Sequence, residues 1–160
     1  MVELIVGKKG KGKTKVLLDK VNGAVKEANG SIVYLDKSTK HMYELNNKVR
    51  LIDVSGFPIK NADEFVGFIC GILSQDHDLE QIYLDSFLKV AKLEDKDITG
   101  TLGQLDEIGK QFNVTFVISV SVDKEVRLID VSGFPIKNAD EFVGFICGIC
   151  LLYTSDAADD

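Results

Sequence analysis

The chain opens on a short apolar run, residues 2–6 (VELIV), that stops at Gly7, which predicts a buried strand. From about Gly12 the apolar spacing changes to three and four residues. Leu17, Val21, Ala24, Val25 and Ala28 then share one face of a predicted helix. Asn29-Gly30 supplies its stop, and residues 31–36 (SIVYLD) predict a second strand. In HMYELNNKVRLIDV, Asn46-Asn47 separates two extended runs, which predicts a hairpin with strands near 42–45 and 48–54. Gly56 and Pro58 break the chain. Asn61, with Glu64 three residues on, predicts a capped helix that carries Phe65, Phe68, Ile69 and Ile72 and ends near Gln75. Cys70 falls in that helix and reads as a small buried hydrophobe. Residues 81–87 (QIYLDSF) predict a strand, and EDKD a charged surface loop. A helix follows from about Thr99, with Leu102, Leu105, Ile108 and Phe112 in step, and residues 114–122 close as a strand. Strands alternating with helices predict an α/β fold: three layers, a mostly parallel sheet, helices on both faces.

A second pattern concerns the chain's organisation. The segment VRLIDVSGFPIKNADEFVGFICGI stands at 49–72 and again at 126–149 without one substitution. Structural repeats tile a chain at a regular period and diverge. An identical pair with unrelated sequence between is expected to come from a misjoined assembly, with a recent duplication as the alternative. Residues 150–160 (CLLYTSDAADD) resemble an in-frame translation of a sequencing-library adapter. Polar, acidic and aperiodic, they are expected to fray. The expected organisation is one folded unit over residues 1–125, an artefactual duplicate at 126–149 and an adapter-derived tail at 150–160. Cys147 and Cys150 form a C-x-x-C across that junction, so no metal or redox role is assigned to them.

Composition narrows the function classes. With 19 basic and 25 acidic residues the net charge is −6, so the chain as a whole is not built to coat a polyanion. Three cysteines without framework spacing do not make a disulfide scaffold. No apolar run approaches the roughly 20 residues that span a bilayer, and the N-terminus lacks a signal-peptide layout. The expected location is the cytoplasm.

The chemistry concentrates in GKKGKGKTK. Gly7-Lys8-Lys9-Gly10-Lys11-Gly12-Lys13-Thr14 fits G-x-x-x-x-G-K-[ST] at every fixed position. Glycines let successive backbone N–H groups turn toward an anion, and the helix that follows aims its positive end at the same point. Gly7, Gly10, Lys11, Gly12, Lys13, Thr14 and Lys15 are therefore the candidate nucleotide-binding residues. Lys13 suits the β and γ phosphates, and Thr14 offers a hydroxyl to Mg²⁺. The same lysines also read as a nucleic-acid patch. The acidic balance and the lack of interleaved aromatics argue against that partner.

This stretch resembles the Walker A motif of P-loop NTPases. The resemblance implies an apolar strand ending in an Asp that orients the metal. Asp85, ending QIYLD, is the first candidate and Asp53, ending VRLID, the lesser one. Asp53-Val54-Ser55-Gly56 also fits the D-x-x-G of GTPases, but no N-K-x-D follows residues 114–122. Asp53 then reads as a turn cap. Asp85 suits the RecA-like and AAA-like branch, which implies one strand interposed between the P-loop strand and the Asp85 strand. Residues 116–120 (FVISV) would supply it, with Ser119 or Ser121 as a polar sensor. That branch also implies a catalytic Glu near the metal-orienting Asp. Here Ser86 follows Asp85 and Glu80 precedes the strand, so the catalytic residue is unassigned. The overall pattern of residues 1–123 resembles short bacterial P-loop proteins labelled as twitching-motility (pilus-retraction) ATPases, without the length or histidine motifs of such a motor. His41 and His77 read as exposed loop residues. The functional expectation is an ATP-binding protein with Mg²⁺-dependent hydrolysis, slow or dependent on a protein partner. The alternative is a nucleotide-binding module without catalysis, and GTPase and nucleic-acid readings stand behind these. The partner is not named by the sequence, and the oligomeric state is open.

Overall fold

The computed structural model describes residues 1–10 and 12–121, together with the backbone of residues 150–155. Lys11, Cys147, the repeated block at 126–149 and residues 156–160 lie outside the described residues. In chain order the elements are β1 (Val2–Gly7), α1 (Lys13–Ala24), β2 (Ser31–Asp36), a 3₁₀ turn (Met42–Glu44) and β3 (Val49–Asp53). A second 3₁₀ turn (Val54–Gly56) follows, then α2 (Ala62–Ser74), β4 (Leu79–Leu84), α3 (Phe87–Val90), α4 (Thr99–Phe112), β5 (Thr115–Ser121) and β6 (Cys150–Ser155).

The strands form one sheet in the order β3-β2-β4-β5-β1-β6, and every pairing is parallel. Parallel sheets are covered on both faces, and the side chains of β1 and β2 divide accordingly. On one face Ile5, Tyr34, Tyr83 and Val117 pack with Leu17, Leu18 and Val21 of α1. On the other Leu4, Leu35, Leu84 and Ile118 pack with Phe65 and Ile69 of α2 and Leu102 and Leu105 of α4. The result is the three-layer α/β arrangement expected from the alternation of elements. The cap of α2 also follows the expectation: Asn61 Oδ1 accepts from Glu64 N at 2.8 Å, and Glu64 Oε1 accepts from Lys60 N at 2.8 Å.

Three local expectations are corrected. No hairpin forms at Asn46-Asn47. Residues 42–44 are a 3₁₀ turn, and β3 pairs in parallel with β2, Ile32 facing Val49 and Asp36 facing Asp53. Residues 37–48 give the chain the dozen or so residues a parallel return requires, and both strand carboxyl ends come to one edge. Cys70 is exposed rather than buried. It stands one position beyond Ile69, which turns it off the apolar face of α2. Residues 150–155 do not fray: they form a strand beside β1 and pair the N–H and C=O groups of its outer edge.

Gly30 shows how closely the backbones pack. Its N–H donates to Glu80 Oε1 at 2.8 Å, and a Cβ there would collide with the Asp78 carbonyl oxygen. Gly30→Ala is expected to lower stability by about 2 kcal/mol. Gly23→Ala, in α1 with open space around it, is expected to raise it by about 0.5 kcal/mol. Urea unfolding of both variants measures the difference; equal effects would refute the packing account.

Candidate nucleotide site

Ligands of open α/β sheets bind outside the carboxyl ends of the strands, and a cavity of about 580 Å³ lies at that edge. β1 delivers the glycine-rich turn to it. Gly7 ends the strand in register with Ser121 of β5. Gly10 and Gly12 then take φ of 78° and 81°, the left-handed region where glycine alone carries no Cβ penalty. Gly12 is the N-cap of α1, whose first turn has neither a side-chain cap nor an acidic residue. Its amides and dipole end therefore face the cavity without an internal counter-charge. Lys9, Gly10, Gly12, Lys13 and Thr14 line the wall. Lys13 is buried to 7% exposure, and its Nζ donates to the Lys8 carbonyl at 2.6 Å. Lys15 points away from the cavity and pairs with Asp19 at 3.2 Å on the outer face of α1.

Asp85, the residue after β4, is the centre of the polar network. It is 3% exposed. Its Oδ1 accepts from Thr14 Oγ1 at 3.3 Å, from Ser119 Oγ at 3.2 Å and from Ser86 N at 2.8 Å. Its Oδ2 accepts from the Tyr34 hydroxyl at 2.8 Å. Burial first, and the Asp85 carboxylate after it, push the Tyr34 hydroxyl far up from its ordinary value, so it remains a donor. β5 does lie between β1 and β4, and Ser119 is the serine that reaches Asp85. Ser121 lines the cavity.

Asp53 stands elsewhere. It ends the outermost strand β3, and its Oδ1 accepts from both Ser55 N and Ser55 Oγ, capping the 3₁₀ turn. Glu80 lies near the start of β4, bonded to Gly30, and Arg50 is exposed on β3. His41 is half-buried rather than exposed: it lines the cavity and its Nδ1 approaches Glu44 Oε1 at 3.3 Å.

The sequence reading passed over Asp36. It ends β2, lines the cavity and is 2% exposed. Oδ1 accepts from Lys37 N at 2.7 Å, while Oδ2 is buried without a hydrogen-bond partner. Burial first, then repulsion from Asp85, hold its carboxyl above the ordinary range, against a lowering by the Lys37 N–H. No spacing motif marks Asp36; only the adjacency of β2 and β4 brings it beside Asp85. The rest of the wall mixes charges: Lys37, Lys40 and Lys89 join Lys9 and Lys13, and the exposed Glu94 and Asp95 also line it. Among the described residues no group of three or more His, Cys, Asp or Glu side chains is placed to cage a metal ion. The Thr14 hydroxyl and one or two carboxylates beside the glycine turn fit the way Mg²⁺ is held with a nucleotide, by few protein oxygens plus phosphates.

The fold is similar to that of a solved structure, the KaiC-like protein PH0186 from the hyperthermophilic archaeon Pyrococcus horikoshii OT3. The TM-score is 0.57 at 19% identity, over 79% of this chain. The matched region spans 64% of that protein's length. The likeness, with the all-parallel sheet, shows a three-layer α/β fold. No family model and no curated protein sequence matches the chain. Among the described residues, no helix is long and apolar enough to cross a membrane.

Asp36 carries a pH signature. A carboxyl held above its unfolded value of 3.8 destabilises the folded state once it ionises. That penalty is complete above its folded value and disappears as pH falls toward 3.8. Asp36→Asn is therefore expected to raise the melting temperature at about pH 8, with the gain shrinking steadily toward about pH 4. Thermal unfolding across that range checks it; a gain independent of pH would contradict the assignment.

Proposed function

We propose that the chain is an ATP-binding P-loop protein that hydrolyses ATP slowly or under the control of a protein partner. The observation that carries the reading is the 3.3 Å approach of Thr14 Oγ1 to Asp85 Oδ1 at the floor of the cavity. It joins the residue after the P-loop lysine to the carboxylate beyond the interposed strand.

In this reading the amides around Gly10 to Thr14 and the Nζ of Lys13 bind the phosphates. Thr14 Oγ1 and Asp85 would hold Mg²⁺, which would supply positive charge to offset that which grows on the phosphates during phosphoryl transfer. The protein's own part is positioning. Ser119 and Tyr34 fix the Asp85 carboxylate from two sides, so it presents one orientation. Asp36, with its unpartnered Oδ2, orients the attacking water and accepts its proton. A carboxyl held above the ordinary range is better matched to that task near neutral pH than an unperturbed one. Lys37 and Lys89 sit where cationic charge is needed in a chain whose only arginines are Arg50 and Arg127. We take residues 1–125 as the unit proposed to do this.

The second reading is a nucleotide-binding module without turnover, favoured by Ser86 in the place where a Glu would follow Asp85. Steady-state phosphate release separates the two.

Calorimetry is expected to show Mg²⁺-dependent binding of ATP in preference to GTP, with Lys13→Ala weakening it about 100-fold. Asp36→Asn is expected to keep ATP binding and to lower turnover by about 100-fold. Absence of nucleotide binding would refute the proposal, and unchanged turnover in Asp36→Asn would remove Asp36 from the chemistry.

A further inference from the structure

A second cavity, of about 190 Å³, adjoins the first. It is enclosed by the residue after β2, the 3₁₀ turn after β3, the loop that follows and α3. Its charged lining is Lys37, Lys89 and Lys92, with no carboxylate, in a chain whose net charge is −6. Its apolar floor is the buried trio Val54, Ile59 and Val90. None of the three lysines is ion-paired with a described residue. Asp53, at the end of the neighbouring strand, already accepts two hydrogen bonds from Ser55.

The backbone adds an independent observation. Lys92 has φ of 59°. It ends α3 in a left-handed turn, in which Leu93 N donates to Leu88 O at 2.8 Å and Lys92 N to Lys89 O at 3.2 Å. Glycine or asparagine fills such a position with the least strain. A lysine there spends stability to place a charge, which is how strained residues at binding sites behave. Lys37 also acts on the neighbouring Asp36, but three cations over one apolar floor still repel one another, and an anion relieves that repulsion.

We propose that this second cavity binds a small organic phosphate: a phosphate group held by Lys37, Lys89 and Lys92, with a short apolar skeleton lying on Val54, Ile59 and Val90. Lys37 and Lys89 also line the larger cavity, so the two occupants share a charged wall. The charge of the smaller cavity stands whatever the larger one holds.

Amide NMR of the full chain, titrated with phenyl phosphate, tests it. Saturable shifts are expected at residues 54–59 and 89–92, separately from any shifts at residues 10–14 that report the P-loop. Lys92→Asn suits the left-handed position, so the fold is retained. It is expected to weaken binding read at 54–59 about tenfold and to leave the response at 10–14 in place. Benzyl alcohol, the neutral comparison, should give no saturable shift. The proposal is overturned if residues 54–59 and 89–92 do not respond to phenyl phosphate. It also fails if they respond equally to benzyl alcohol, or if Lys92→Asn binds as tightly as the parent.

Discussion

A buried carboxylate must find donors or lose its charge, and Asp85 finds four. They come from α1 (Thr14), β2 (Tyr34), the turn after β4 (Ser86) and β5 (Ser119). Satisfying this one group fixes how the P-loop helix sits over the sheet and which ends of β2, β4 and β5 come level. It also explains why Ser86 adopts φ of 53°: only a sharp reversal after β4 turns its N–H back onto the Asp85 carboxylate. The strand order is part of the same solution, because β5 must lie between β1 and β4 for Ser119 to reach Asp85 while Gly7 delivers the glycine turn.

Charge is distributed to match. The chain is acidic overall, and the carboxyl edge of the sheet collects Lys9, Lys13, Lys37, Lys40 and Lys89 around two buried acids, Asp36 and Asp85, with the exposed Glu94 and Asp95 on the same wall. In the proposed reading such an edge would draw phosphate while keeping Asp36 and Asp85 close to its oxygens. Burial first, and repulsion from Asp85 after it, hold Asp36 above the ordinary carboxylate range. An ordinary surface would disperse these charges. Their concentration at one edge is what the parallel topology makes available, since it turns every strand's carboxyl end the same way.

Features carried by local spacing were legible in the sequence. The alternation of apolar runs and helical periods predicts the α/β layers, and Asn61 with Glu64 predicts the start of α2. The glycine-lysine turn is placed between a strand and a helix, as found. What was not legible depends on which strands are neighbours. Asn46-Asn47 has the chemistry of a hairpin turn, but the length of residues 37–48 lets β3 return parallel to β2, and no local signal chooses between these. Asp36 looked like the end of an ordinary strand because its importance arises only where β2 lies beside β4. The ring of Tyr34 is buried in the core, stacked near Tyr83 with centroids 6.3 Å apart. Its hydroxyl, however, belongs to the site. Residues 150–155 carry no periodicity, and their strand follows from the open edge of β1 rather than from their own pattern.

The central claim is spatial: a metal-bound nucleotide lies against the P-loop with its phosphates directed toward Asp85 and Asp36. Paramagnetic broadening tests this most directly. Mn²⁺ is added with ATP to the isotope-labelled chain, and amide signals are followed residue by residue. The account predicts that Gly12 to Lys15, Asp36, Lys37, Asp85, Ser86 and Ser119 broaden first, and only when ATP is present. Broadening centred elsewhere on the fold, or the same pattern from Mn²⁺ without nucleotide, would contradict it.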